Sequence, residues 1–268
     1  MTDDLLIFAP EVTLIAKTQL LHGGVLSLEA NADQDQGTDA ERIIEFAGRG
    51  CYDSYGRGRD SASFHKNIKA YRHGSCLEHV SWTFEIRGVS RGLTHELVRH
   101  RVGTAISQRS TRYTDESKSR IVVPPVFIDA LGDTTSELDD KAFARDALLR
   151  AHKASCKLYE CAVEASMRVL PQRSMSKTAR RKTARGAARS VLGQDIETTL
   201  TWTVNARSFI NAAMQRYNEH AEAEIRRLFK VLFEIIKPDL PNYLGDVKEV
   251  PSPDGLGAGI NPDTLWVL

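Results

Sequence analysis

Alternation is clearest from Val80 to Arg87, where Val80, Trp82, Phe84 and Ile86 are apolar and Ser81, Thr83, Glu85 and Arg87 are polar. A period of two with one apolar side predicts a strand with one buried face, ended by the Gly88–Gly92 region. The apolar, β-branched stretch Leu5 to Lys17 predicts an opening strand or two, and Arg120 to Pro125 a short strand closed by prolines. Elsewhere the spacing lengthens to three and four. It predicts helices over Asp39 to Cys51, with Ile43, Ile44 and Phe46 on the apolar side, and over Leu93 to Arg101. Lys141 to Val169, without Gly or Pro, predicts one long helix. Ala206 to Ile236 predicts another, through Phe209, Ala213, Tyr217, Ala221, Ile225, Leu228 and Leu232. Beyond these, 238–268 reads as an irregular Pro/Gly-rich tail behind a single domain over 1–237. Strands early and long helices late make the class α+β.

Composition narrows the picture in two ways. The chain is 268 residues long, 41% hydrophobic and 26% charged with a net charge of +1, so any local concentration of one sign is a local feature. No apolar run is long enough to cross a bilayer, and Asp3 and Asp4 stand where a secretory signal carries Lys or Arg; the expectation is a cytoplasmic protein with no membrane partner. Cys51, Cys76, Cys156 and Cys161 form no zinc spacing and too sparse a set for a disulfide scaffold; they read as reduced thiols, and no metal is expected.

Charge is concentrated between Arg99 and Tyr113, where Arg99, His100, Arg101, Arg109 and Arg112 fall before the first carboxylate, Asp115. Arginine forks grip phosphate oxygens bidentately, and Ser107, Ser110 and Thr111 add uncharged donors. A solvated basic loop is the alternative. His73 to His79 pairs two histidines with Glu78, but not at a spacing that puts metal ligands on one helix face; a polar rim beside the strand is the plainer reading. Asn205 and Arg207 lead a helix on which Asn211 and Gln215 share a face beside Arg216, suited to a flat hydrogen-bonding ring, or to capping and an exposed helix side. Arg173 to Arg189 holds seven basic residues and no acid. It lacks the interleaved aromatics of a stacking surface, so an anionic small molecule is favoured over nucleic acid.

These segments together resemble the flavin-dependent thymidylate synthases. The resemblance rests on Arg99-His100-Arg101 followed by Ser110-Thr111-Arg112-Tyr113, on His73, Ser75, Glu78 and His79 upstream, and on Asn205, Arg207, Asn211 and Arg216 downstream. It implies a central mixed or antiparallel sheet with long helices, and a homotetramer whose sites lie between subunits. It implies FAD as cofactor, a uridine 5′-monophosphate as substrate, and methylenetetrahydrofolate and NADPH as co-substrates, with no covalent enzyme cysteine. Ser75, Glu78, Arg99, His100, Arg101, Val102, Asn205, Arg207 and Asn211 match flavin-side positions. Glu96, Gln108, Arg109, Ser110, Thr111, Arg112, Arg189 and Arg216 match the nucleotide side. Arg216, Ser110 and His73 match positions at the chemistry, Arg216 beside the pyrimidine oxygens.

Two departures qualify the match. Eight residues, Val102 to Arg109, separate Arg101 from Ser110 where the family usually has seven, and Glu96 stands where Gln is common. The extra residue is expected to bulge the substrate loop, and Glu exchanges a donor for an anionic acceptor. Some relatives methylate UMP in nucleoside-antibiotic (polyoxin-type) pathways, so UMP, dUMP or both remain open, beside an ordinary dUMP-specific enzyme. A non-catalytic nucleotide- or RNA-binding module is the alternative of another class.

Overall fold

A computed structural model describes residues 3–21, 36–128 and 135–261. The chain forms two compact units, one from residues 1–11, 86–97 and 107–200, the other from 12–85, 98–106 and 201–268.

In the first unit, strand β1 (Leu6–Ile7) pairs in parallel with β5 (Ile121–Val122). Short helix α3 (Arg91–Leu97) starts where the Ser90 hydroxyl accepts the Leu93 N–H at 2.9 Å. The longest helix, α4 (Thr135–Val169), packs against α5 (Lys177–Ala188), which is capped by the Ser176 hydroxyl.

The second unit holds α1 (Asp39–Cys51), α2 (Ser61–Ala70), α6 (Ala206–Arg216), α7 (Ala223–Ile236) and the single turn α8 (Pro241–Leu244). Strands β2 (Glu11–Lys17), β3 (Ser81–Ser90), β6 (Glu197–Asn205) and β4 (Thr104–Gln108) form one sheet in that order. Alternation sorts its faces: in this unit Trp82 and Phe84 of β3 and Trp202 of β6 are buried, while Thr83 and Thr203 bond through their hydroxyls at 3.0 Å. Trp202 and Phe209 each meet the Phe229 ring of α7, at 5.9 and 6.2 Å, tying helices to sheet.

Three expectations about elements are corrected. The helix foreseen over Ala206 to Ile236 is two, because strand β8 (Ala258–Ile260) takes the backbone between them. The Tyr217 carbonyl accepts the Ile260 N–H at 2.7 Å, and the Glu222 side chain caps the new helix from Glu224 and Ile225. The tail is not irregular where it is described. It carries α8 and an antiparallel hairpin of β7 (Glu249–Pro251) with β8, and it buries Leu240, Tyr243, Leu244 and Ile260. The helix foreseen over Leu93 to Arg101 stops at Leu97, and the basic residues after it form a turn. Among the described residues no helix is long and apolar enough to cross a membrane.

Candidate functional site

The turn after α3 owes its shape to α6. Asn205 caps that helix by accepting the Ser208 N–H at 2.8 Å, and its own N–H donates to the Gly103 carbonyl at 3.0 Å. The Ser208 hydroxyl donates to the Val102 carbonyl at 2.6 Å, and Thr104 closes on the His100 carbonyl at 2.6 Å. Gly103 sits at φ +64°, and a Cβ there would collide with Asn205 and Ser208, so both conformation and space demand glycine. Two of these bonds, Asn205 to Gly103 and Ser208 to Val102, thus join two segments a hundred residues apart.

Their shared product is a cleft of about 820 Å³ lined by Arg99, His100, Arg101 and Val102 from the turn and Arg207, Ser208, Asn211, Gln215 and Arg216 from α6. Helical spacing places Ser208, Asn211 and Gln215 on one face. Arg216 Nε donates to His100 Nε2 at 3.0 Å, so the imidazole is neutral and carries its proton on Nδ1. Burial, and then the Arg216 charge, hold His100 below the usual imidazole range. Among the described residues no carboxylate pairs with Arg99 or Arg101. Arg207 does have one, Glu78 at 2.6 Å.

Arg207 also lines a neighbouring pocket of about 310 Å³ with His73, Ser75 and Cys76. Here the sequence placed a polar rim; the structure makes a 3₁₀ turn, Gly74–His79, with His73 preceding it. Burial pushes the Cys76 thiol up to about 11, and its S–H donates to the His73 carbonyl at 3.0 Å. All four cysteines are free thiols.

The first unit gathers a different set. Thr111 and Arg189 line a pocket of about 570 Å³ with Arg91, His95 and Gln194. Gln108 is engaged by Thr94 and Thr198 at 2.9 and 3.3 Å, and Arg109 by Glu116 at 3.0 Å and the Glu197 carbonyl at 2.8 Å. The Ser110 carbonyl accepts from Tyr113 and Thr114, which folds Ser110 to Thr114 into a turn, with the Arg112 side chain exposed beside Gly186. Glu96 lies half-buried on α3. Burial is the main influence on Arg91; Arg189 and Arg109 also push its pKa down and Glu116 partly offsets them. The expected bulged loop over Val102 to Arg109 is corrected: past the Gly103 turn it is strand β4, so an added residue must be absorbed at an end or invert the alternation.

The basic stretch is also partly spoken for. Arg185 pairs with Asp115 at 3.0 Å, Arg180 donates to the Met167 carbonyl, and Lys182 lies 4.6 Å over the Tyr113 ring. Sequence reasoning did not single out Ser208, Arg91 or His95. Ser208 could have been found as the residue three before Asn211; Arg91 and His95 sit on a helix too short to show a period.

The family model of the thymidylate synthase complementing protein matches residues 34–242. A flavin-dependent thymidylate synthase of Mycobacteroides abscessus is 35% identical over 258 residues, covering 94% of this chain and 95% of that one. Another, from Mycobacterium sp. (strain JLS), is 38% identical over 232 residues, covering 84% and 88%. The fold is similar to that of the UMP/dUMP methylase PolB from Streptomyces cacaoi bound with 5-Br UMP, with a TM-score of 0.62 at 18% identity over 88% of this chain and 92% of that one. It is also similar to thymidylate synthase X from Helicobacter pylori with FAD and dUMP, with a TM-score of 0.56 at 22% identity over 92% and 99%. The chain belongs to the flavin-dependent thymidylate synthase family, a family of methyltransferase enzymes.

Proposed function

We propose that this enzyme catalyses reductive C5-methylation of a uridine 5′-monophosphate, UMP and/or dUMP, with FAD as cofactor, methylenetetrahydrofolate as carbon donor and NADPH as reductant. The observation that carries the reading is the second unit's cleft, where Arg99 and Arg101 have no carboxylate partner among the described residues. Charges left unanswered by the protein suit the diphosphate of FAD, which would supply hydride chemistry when bound. Arg99, His100, Arg101 and Val102 would hold it with Asn211, while Asn205 maintains the turn and Glu78 orients Arg207. Ser75 and His73 border the adjoining pocket.

On the nucleotide side, Ser110, Thr111, Arg112 and Arg189 would take the phosphate, and Glu96 the sugar. Gln108 and Arg109 would act by holding the 110–114 turn, Gln108 Nε2 being bonded to Thr94 and Thr198 and Arg109 Nη2 to Glu116 and the Glu197 carbonyl. Arg216, fixed on His100, would stabilise negative charge on the pyrimidine oxygens. No protein nucleophile is needed, and Cys76, raised to about 11, stays protonated at neutral pH. A homotetramer with shared sites and a cytoplasmic location complete the reading; light scattering tests the assembly.

A yellow protein with flavin absorbance, turning over dUMP or UMP with both co-substrates, is expected. A colourless protein that takes up no added FAD would overturn the reading. A dUMP-only enzyme is the second reading, favoured because the relatives at 35% and 38% identity carry the thymidylate synthase name. Competition kinetics on the two nucleotides separates the readings.

A further inference from the structure

Helices α1 and α2 end in the same way. At the end of α1 the Asp53 N–H reaches the Gly50 carbonyl at 3.4 Å and the Ser54 N–H the Arg49 carbonyl at 3.1 Å. At the end of α2 the Arg72 N–H reaches Lys69 at 3.2 Å and the His73 N–H reaches Ile68 at 3.1 Å. Both are Schellman closures, whose left-handed residue is ordinarily glycine. Here the residues are Asp53 at φ 45° and Arg72 at φ 56°, and among the described residues no other non-glycine residue has a positive φ. Strain of this kind persists only where its surroundings over-determine it.

What the two strained residues have in common is a pair of rings. Asp53 follows Tyr52 and Arg72 precedes His73. The Tyr52 and His73 rings stack, with centroids 5.8 Å apart and planes at 24°, and Tyr52 Oη lies 3.2 Å from His73 Nδ1. Tyr71 flanks His73 from 6.0 Å. Tyr52 keeps 63% of its surface exposed, so core packing does not account for its place. Behind it, Arg49 anchors the loop by donating to the carbonyls of Ser54, Arg57 and Arg59.

We propose that Tyr52 is a positioning residue for His73. Its hydroxyl donates to Nδ1, leaving the proton on Nε2, and its ring holds the imidazole plane at the pocket shared with Ser75 and Arg207. The two left-handed caps aim the rings at each other. The role in turnover rests on the reading of His73 as a site position; the geometry does not.

The test uses ¹⁵N-labelled full chain without flavin, with His73 signals assigned by His73→Gln. One tautomer, protonated on Nε2, is expected, and Tyr52→Phe should convert it to a mixture while the thermal midpoint barely moves. Arg72→Gly should raise the midpoint yet broaden the same signals. In the flavin-loaded enzyme Tyr52→Phe should lower kcat about tenfold, the scale of one lost hydrogen bond, with nucleotide KM unchanged. Unchanged His73 signals in both variants, or a proton on Nδ1 in the parent protein, would overturn the proposal. Full turnover by His73→Gln would also overturn it, by removing His73 from the reaction. Failure of the flavin reading is separate: it shows in the parent protein as absence of flavin uptake.

Discussion

Arg49 and Arg226 differ from Arg99 and Arg101 in everything except residue type. The first pair is 1% exposed each. Arg49 is bonded to Glu45 and to carbonyls and lies 4.7 Å over the Phe64 ring; Arg226 forks onto Asp254 and three carbonyls. The second pair is exposed in a cleft and lacks a carboxylate among the described residues. A buried guanidinium bonded to the protein's own carboxylates and carbonyls serves the fold, and one whose donors face an open cleft serves a ligand.

The largest break in that contrast should come from Arg49→Ala, which strands the buried Glu45 carboxylate. A loss of about 3–5 kcal/mol is expected, or a fall of about 6–20 °C in the thermal midpoint, read by calorimetry. An equal fall in Arg99→Ala would erase the distinction.

The same buried cluster should show itself through pH. Burial and then the Arg49 charge lower His65 to about 4, and its Nδ1 lies 2.7 Å from the Tyr243 hydroxyl. Because the folded pKa lies below the unfolded one, this contribution is fully present above about pH 6.5 and is lost as pH falls towards 4. The span corresponds to about 3 kcal/mol at most. Thermal midpoints between pH 7 and 4 should fall in the parent and flatten in His65→Gln.

Arg99→Ala should leave the flavin-free midpoint unchanged and weaken FAD binding by about 1.5–3 kcal/mol, roughly tenfold to a hundredfold. Retained flavin content after gel filtration would count against the cleft. The smallest effect belongs to Cys76→Ala. It should cost about 1 kcal/mol of stability or slightly more and leave turnover measurable, because that thiol stays protonated. Abolished turnover in a folded, flavin-loaded Cys76→Ala would end the account without a protein nucleophile.

Sequence made the two arginine classes only half legible. The basic turn could be read because Arg99, His100 and Arg101 are contiguous, and Arg207 with Asn211 because a helical step of four joins them. Strand β3 and helix α1 were legible because one buried face leaves an unbroken period. Arg49 and Arg226 sit inside amphipathic helices, where an arginine looks like any solvated position until the loop whose carbonyls it bonds is folded. The division of Ala206 to Ile236 was hidden for the same reason: its cause, strand β8, lies more than twenty residues downstream. Asp53 and Arg72 gave no signal, since a left-handed cap is expected of glycine.

The bonds joining Gly103 to Asn205 and Val102 to Ser208 also set an order of events during synthesis. At ribosomal speeds of about 5–20 residues per second, α6 emerges roughly 5–20 s after the basic turn. Until then Arg99 and Arg101 stand on a segment with no scaffold, and β3 awaits its neighbour β6. A nascent chain cut before residue 205 should therefore expose the basic turn to trypsin, and one extended past α6 should protect it.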